Sequence, residues 1–449
     1  MRQAYSILPV YTGDVSGVCS ALFELGGMVV IHDPSGCNST YNTHDEIRWY
    51  DRDSLIFISG LRDVDAIMGD DERLVHDVVE AAGQMHPRFI VLVNSPIPYQ
   101  MGMDFEAIAR LVQRQCGIPT YYLSTNGMHD YVRGAGLAFE LLAREFVRGA
   151  GQGDRRVGAG DRAGAGDRAG AGDRAGAGDW AGAGDWAGAC DRAGAGPIGT
   201  ARSEVTRRVN VLGLTPLDFA VAGTRESLET WLGQAGFSLT SCWAMGDSLD
   251  DIARAGEADL NLVVSATGLR AARVLKERFG QPWVAGIPCG DFAGVLDRAM
   301  EQSLTDGRDR LAYLEARVSC RRDRGEAVGL VPESRTSVFV GEPVVMGSLA
   351  AALELSGEGV RTRLLAPVED SGKLVSTELG DACAQGEEEV ERALSGVMDV
   401  IADPFYQPLC DQRDQEGFAF HQLPQLALSG RQWLHEIPNL LEMGQMPLG

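Results

Sequence analysis

The chain has 449 residues, 45% of them hydrophobic and 56 of them glycine, and 40 Lys+Arg stand against 63 Asp+Glu for a formal charge of -23. That apolar content excludes a wholly disordered chain and supports roughly two to four packed domains. The acidic balance excludes the broad basic face that nucleic acid or an anionic membrane needs.

In chain order, short apolar runs alternate with helical periodicity. A helix carrying Cys19 leads into Met28-Val-Val-Ile-His32, a buried strand, and Leu55-Ile-Phe-Ile58 is the next. Asp70 to Met85 has a helical stripe of Leu74, Val75, Val78, Val79 and Ala82. Arg88 to Val93 is a continuous apolar strand, Phe105 to Gln115 a helix, and Pro119 to Leu123 a strand. The pattern restarts with a strand at 208–213, a helix at 225–235, a strand at 259–264, a helix at 268–279 and a strand at 283–285. It restarts again with a strand at 337–341, a helix at 344–356, a strand at 361–365, a helix at 387–396 and a strand at 399–402. Apolar strands separated by helices are βαβ units. The predicted class is α/β, with parallel sheets flanked by helices in three successive lobes, 1–150, 201–330 and 331–449.

Between the first two lobes, 151–200 holds a tandem repeat. Gly158-Ala-Gly-Asp-Arg-Ala163 recurs with period six to about Gly196, with Trp180, Trp186 and Cys190 as variants. Dense glycine carries a high entropy cost and offers no core, so this segment reads as a flexible surface insertion.

Chemistry concentrates at Cys37. It follows the first strand in a Pro-Ser-Gly turn, at a carboxyl edge where open α/β sheets place ligands. Unpaired backbone N–H groups in such a turn favour a thiolate or a cluster sulfide. Cys19 reads either as core packing or as a second thiol. His44, Asp45 and Glu46 follow the turn and read either as proton donors or ligands of a substrate metal, or as a solvated turn. Cys242 reads as core strand. Cys289, at the end of a strand, is a weaker site candidate. The nine cysteines of so long a chain are no disulfide framework, and no pair has zinc-knuckle spacing. No Walker A motif is present, so nucleotide hydrolysis is not expected here. With no run of about 18 apolar residues and no signal-peptide pattern, a cytoplasmic protein without a membrane span is expected.

The motifs, in order, resemble the nitrogenase component 1 family. That family includes nitrogenase MoFe-protein subunits, dark protochlorophyllide and chlorophyllide reductases, and the nickel-sirohydrochlorin reductive cyclase. Its marker, a strand leading into His-Gly-Pro-x-Gly-Cys, is matched by His32-Asp33-Pro34-Ser35-Gly36-Cys37. Met68 to Leu74, Val93-Asn-Ser-Pro-Ile97, Asp259 to Val263, Phe279 to Trp283 and the last lobe resemble further family segments, so the likeness covers nearly all but the repeat. It implies three Rossmann-like lobes, and a [4Fe–4S] cluster at Gly36 and Cys37 on a subunit interface. A nitrogenase-reductase-like iron protein would feed that cluster, with ATP hydrolysed only on the partner.

Departures narrow the reading. The family's other cluster cysteines fall near Tyr11 and at Ser95. Cys19 and Cys37 of two chains would supply four thiolates, which suits one shared cluster in a homodimer; a heterodimer with a related subunit is the alternative. The nitrogenase cofactor's Cys falls at Ser265 and its His near Pro424, with His421 offset. No FeMo-type cofactor and no dinitrogen reduction are therefore expected. The resemblance implies a reductase whose substrate stays open among a tetrapyrrole, a small sulfur compound and a metallocofactor precursor. A non-catalytic scaffold for metallocofactor assembly is the competing reading. A metal-free binding protein is the third.

Overall fold

The computed structural model describes residues 6–34, 46–69, 71–149, 207–325, 336–357 and 359–442. Gly36, Cys37, His44, Asp45 and the repeat lie outside these ranges, so the expectations attached to them have no structural counterpart below.

The first lobe holds α1 (Asp14–Leu22), β1 (Met28–His32), β2 (Leu55–Ile58), α2 (Asp63–Met68), α3 (Asp71–Met85), β3 (Ile90–Asn94), α4 (Pro96–Met101), α5 (Phe105–Cys116), β4 (Thr120–Tyr122) and α6 (Tyr131–Glu145). Its sheet has the order β2-β1-β3-β4, all parallel. Every residue of β1 and β3 is buried because helices cover both faces. Met28, Val30, Ile90 and Leu92 pack with the α3 and α5 stripes, while Val29, Ile31, Val91 and Val93 join the main core with α1 and α6. A Cβ at Gly134 would stand 1.8 Å from the Asp14 carbonyl, and one at Gly17 would stand 2.4 Å from the Tyr131 carbonyl. Glycine is required at both positions for α1 and α6 to cross so closely.

The second lobe holds β5 (Arg207–Leu212), α7 (Thr224–Gln234), β6 (Phe237–Cys242), α8 (Leu249–Ala253), β7 (Leu260–Val263), α9 (Leu269–Phe279), β8 (Trp283–Ala285), α10 (Ala293–Asp306), β9 (Arg310–Leu311) and α11 (Ala312–Asp323). The third holds β10 (Thr336–Val340), α12 (Pro343–Leu355), β11 (Arg361–Ala366), β12 (Ala382–Cys383), α13 (Glu387–Leu394), β13 (Asp399–Ala402), β14 (Ala419–Gln422) and α14 (Leu426–Ser429). Their parallel sheets run β6-β5-β7-β8-β9 and β12-β11-β10-β13-β14. The α/β class and the three parallel sheets are as the sequence predicts.

The three lobes share one core. Residues 1–150 and 206–449 form a single compact unit. Its main apolar cluster takes Val29 from the first lobe, Leu262 from the second and Phe339 from the third. Backbone bonds stitch the junction: Thr12 donates to the Ala427 carbonyl (2.8 Å), and Ala427 donates to the Leu217 carbonyl (3.1 Å). Among the described residues no helix is long and apolar enough to cross a membrane.

Candidate functional site

In the first sheet, β2 lies on one side of β1 and β3 on the other, so the strand order reverses between β1 and β3. Ligands of open α/β sheets sit at such a crevice. The two strands end there on the register partners His32 and Asn94. Nδ1 of His32 lies 2.7 Å from Ser59 Oγ, and its ring stands edge-on to Phe105 at 5.7 Å between centroids. Tyr122 donates its hydroxyl to Asn94 Oδ1 (2.9 Å). Among the described residues, His32 Nε2, Asn94 Nδ2 and Ser95 Oγ are buried without a hydrogen-bond partner. Each such atom costs about 1–3 kcal/mol. Burial pulls the His32 pKa down to about 4, so its imidazole is neutral at physiological pH. From here the chain runs through Asp33 and Pro34 toward Gly36 and Cys37.

This edge tests the implied cluster. Iron–sulfur clusters are held by thiolates, whereas the described donors are an imidazole, an amide and a hydroxyl. Ser95 stands where the resemblance puts a cysteine. Among the described residues no three His, Cys, Asp or Glu side chains gather to hold a metal. The described residues thus do not by themselves fit a cluster.

Cys19 lies on α1, wholly buried in the main core. Burial, and then the neighbouring Glu46 carboxylate, push its thiol pKa far up. The Glu46 carboxylate is committed to Arg48, which donates to it from its backbone N (3.1 Å), Nε (2.7 Å) and Nη2 (2.8 Å). Arg48 also donates to the Ser20 and Ala244 carbonyls, each at 2.7 Å, and pairs with Glu24 at 3.1 Å. Glu46 therefore caps the short 3-10 turn Ile47–Tyr50 and helps clamp the first lobe to the second. Of the predicted site residues, Cys19 and Glu46 are brought together, in a setting that favours a thiol over a thiolate. Cys242 and Cys289 are also fully enclosed, with thiol pKa values raised by burial.

A second polar centre occupies the junction of the lobes. Ser265, at the position the resemblance gives to a cofactor thiolate, donates to Asp218 Oδ2 (2.7 Å). Tyr131, the first residue of α6, donates its hydroxyl to Asp218 Oδ1. Glu342 caps α12: its Oε2 accepts from Val345 N (2.8 Å) and its Oε1 from Ala266 N (2.9 Å). Tyr11 stacks on Tyr131, and its hydroxyl lies 3.0 Å from that of Tyr406. Burial raises the pKa of both carboxyls, and the charge on Asp218 raises Glu342 further. His421 is elsewhere, on β14, paired with Asp399 at 3.0 Å. Asp218, Glu342 and Tyr131 escaped the sequence reading. The available signals were an acid directly before Pro343 at a strand end, a helix-cap pattern, and Thr215-Pro-Leu-Asp218 just beyond a strand's carboxyl edge.

Comparison with known proteins fits this architecture. Residues 16–296 match the model of the nitrogenase component 1 type oxidoreductases. A subunit of the light-independent protochlorophyllide reductase of Rubrivivax gelatinosus is 39% identical over 82 residues, 18% of this chain and 15% of that protein. The corresponding protein of Methylocella silvestris is 36% identical over 120 residues, 26% of this chain and 24% of that protein. The nitrogenase iron-molybdenum cofactor biosynthesis protein NifE of Klebsiella pneumoniae is 29% identical over 103 residues, 22% of each chain. The matches thus span only 15% to 24% of these relatives' lengths. A solved structure titled "Nitrogenase Cp1 at pH 6.5" superposes with a TM-score of 0.59 at 13% identity, covering 94% of this chain and 87% of that one, and so shares the fold.

Proposed function

From its membership of the nitrogenase component 1 type oxidoreductases, the family to which this chain belongs, we propose a reductase fed with low-potential electrons by an ATP-hydrolysing iron protein. A [4Fe–4S] cluster at Cys37 and Gly36, shared across a dimer, would receive the electrons. The observation that carries the reading is the carboxyl edge of the first sheet. There His32, which opens the family's marker segment, and its neighbours Asn94 and Ser95 each keep one buried polar atom without a partner among the described residues. The cluster, when bound, supplies one-electron transfer. The chain's own residues hold the edge: Ser59 fixes the His32 ring and Tyr122 fixes Asn94. Cys19 is the weaker half of the two-plus-two thiolate set, because α1 must shift to release it from the core.

The proposed substrate is not dinitrogen. Ser265 stands at the position of the cofactor thiolate and is spent on Asp218. The substrate class stays among the tetrapyrroles, small sulfur compounds and metallocofactor precursors. A second reading, a scaffold that assembles a metallocofactor without turnover, is favoured by the similarity to NifE.

Iron and acid-labile sulfide per chain, with visible and EPR spectra on anaerobically purified protein, test the proposal. About two of each per chain are expected for one [4Fe–4S] cluster per dimer. Cys37→Ala should remove them. Iron-free protein after attempted reconstitution would sink the redox reading. Product formed only with the iron protein and ATP separates reductase from scaffold. Full iron retained by Cys19→Ala would defeat the two-plus-two arrangement.

A further inference from the structure

We infer that Asp218 and Glu342 together hold a single proton at neutral pH where the three lobes meet, and that the pair is the proton store for chemistry in the interior. The first half stands on packing alone. The second rests on the reductase reading above.

The two carboxyls approach from different lobes, Asp218 on the loop after β5 and Glu342 on the turn between β10 and α12. Successive residues bridge them: Ser265 Oγ donates to Asp218, and the N–H of Ala266 donates to Glu342. Every element packed around them presents neutral groups. Tyr131 comes from α6, Ser265 from the segment after β7, and Val345 N from α12. Tyr313 of α11 faces Glu342, but its hydroxyl is spent on the Leu374 carbonyl (2.7 Å). Thr215, on the loop of Asp218 itself, is wholly buried and its hydroxyl makes no hydrogen bond among the described residues. Among the described residues no Lys, Arg or His pairs with either carboxyl. That contrasts with Glu354 and Asp381 of the third lobe, which are fully enclosed and are neutralised by Arg321 and Arg317.

Two neighbouring negative charges, one enclosed and one half-buried, are costlier without a cation than one charge and one neutral acid. Placing a proton on one of them removes the repulsion and leaves a single carboxylate for the hydroxyls of Tyr131 and Ser265 to stabilise. The pair titrates as a unit. Asp218 is half-buried while Glu342 is 1% exposed, so exchange with water runs through Asp218. In a reduction fed by one-electron steps from the iron–sulfur reductase, each electron reaching the acceptor is matched by one proton. The pair gives its proton to the reduced acceptor, becomes two carboxylates, and regains one proton from water.

Infrared difference spectroscopy of the full chain across neutral pH tests the store. A protonated-carboxyl C=O band that shifts in D2O is expected in the unmodified protein at neutral pH and should be absent from Glu342→Gln. In Asp218→Asn it should not titrate with the same midpoint. No such band at neutral pH, or a band unchanged in both variants, overturns the proposal. Should Glu342→Gln fail to fold, Asp218→Asn decides. Removing the Asp218 charge should move the band's disappearance to lower pH, and an unmoved midpoint overturns the pair. This readout needs neither iron nor turnover, so its failure leaves the reductase reading standing. In turnover with the iron protein, Asp218→Asn should slow product formation on the order of a hundredfold at unchanged iron content. An unchanged rate overturns the supply role alone.

Discussion

The carboxyl edge of the first sheet and the three-lobe junction are both buried and polar, yet they are built in opposite ways. At the edge, His32, Asn94 and Ser95 each keep a polar atom unpartnered. At the junction, Asp218 and Glu342 receive donors from three lobes, although the Thr215 hydroxyl beside them lacks a partner among the described residues. An interior that leaves polar atoms unsatisfied carries a cost that something bound there would relieve, whereas a satisfied network is finished without a guest. The first pattern belongs to a seat and the second to a built-in device.

The largest way to break this contrast is to remove a network member. Glu342→Ala deletes the cap of α12 and strands the Ala266 N–H, and should cost about 2–4 kcal/mol of stability. The shift of the urea midpoint at constant m-value measures it. A loss near zero would mean that the junction is no more finished than the edge.

Next in size is pH, where the two regions have opposite signs. The His32 pKa falls from 6.5 unfolded to about 4 folded. The unfolded chain then binds more protons in that window, so this contribution is complete above pH 6.5 and is lost as pH falls through 4, a change of roughly 3 kcal/mol. The junction carboxyls are raised on folding. The folded chain binds the extra proton there, so their contribution is fullest at low pH and falls as pH rises above the ordinary carboxylate range. The slope is about 1.4 kcal/mol per pH unit for one proton. Asp130, raised to about 6 by burial, adds in the same direction. Denaturation across pH should show His32→Asn flattening the acid limb alone and Glu342→Gln flattening the neutral limb alone. Both limbs moving together in either variant would defeat the separation.

Much of the scaffold was legible in the sequence, because buried parallel strands announce themselves as apolar runs. The strand read at Trp283-Val-Ala returns with the same bounds, and 28–32, 55–58 and 399–402 do likewise. Elements whose stability is not written as an apolar stripe escaped. α6 carries Gly134 and Gly136, which lower helix propensity, and Gly134 is there for the crossing with α1. α11 buries Arg317 and Arg321 against Asp381 and Glu354 and so reads as a solvated polar run. Strands of two residues, such as β9 and β12, are too short for periodicity. The site was legible only where one short segment carries it, around His32. The Asp218–Glu342 pair joins residues 124 positions apart that meet only once three lobes have packed, and no local pattern encodes that meeting.

The smallest effect gives the sharpest comparison, because the same substitution is made in both regions. Ser265→Ala removes a hydroxyl that donates to Asp218 and accepts from Thr267 N at 3.3 Å. Its loss should cost about 1–2 kcal/mol. Ser95→Ala removes a hydroxyl that is equally buried but makes no hydrogen bond. Deleting an unsatisfied polar atom relieves its desolvation cost, so Ser95→Ala should be neutral or stabilise the metal-free chain by up to about 1 kcal/mol. The difference between the two variants, read from paired urea curves, cancels the shared loss of one oxygen. Equal losses would place Ser95 in a completed network and remove the distinction between seat and device. A gain at Ser95 alone would mark the edge as a surface kept polar at the fold's expense, for something this chain must bind.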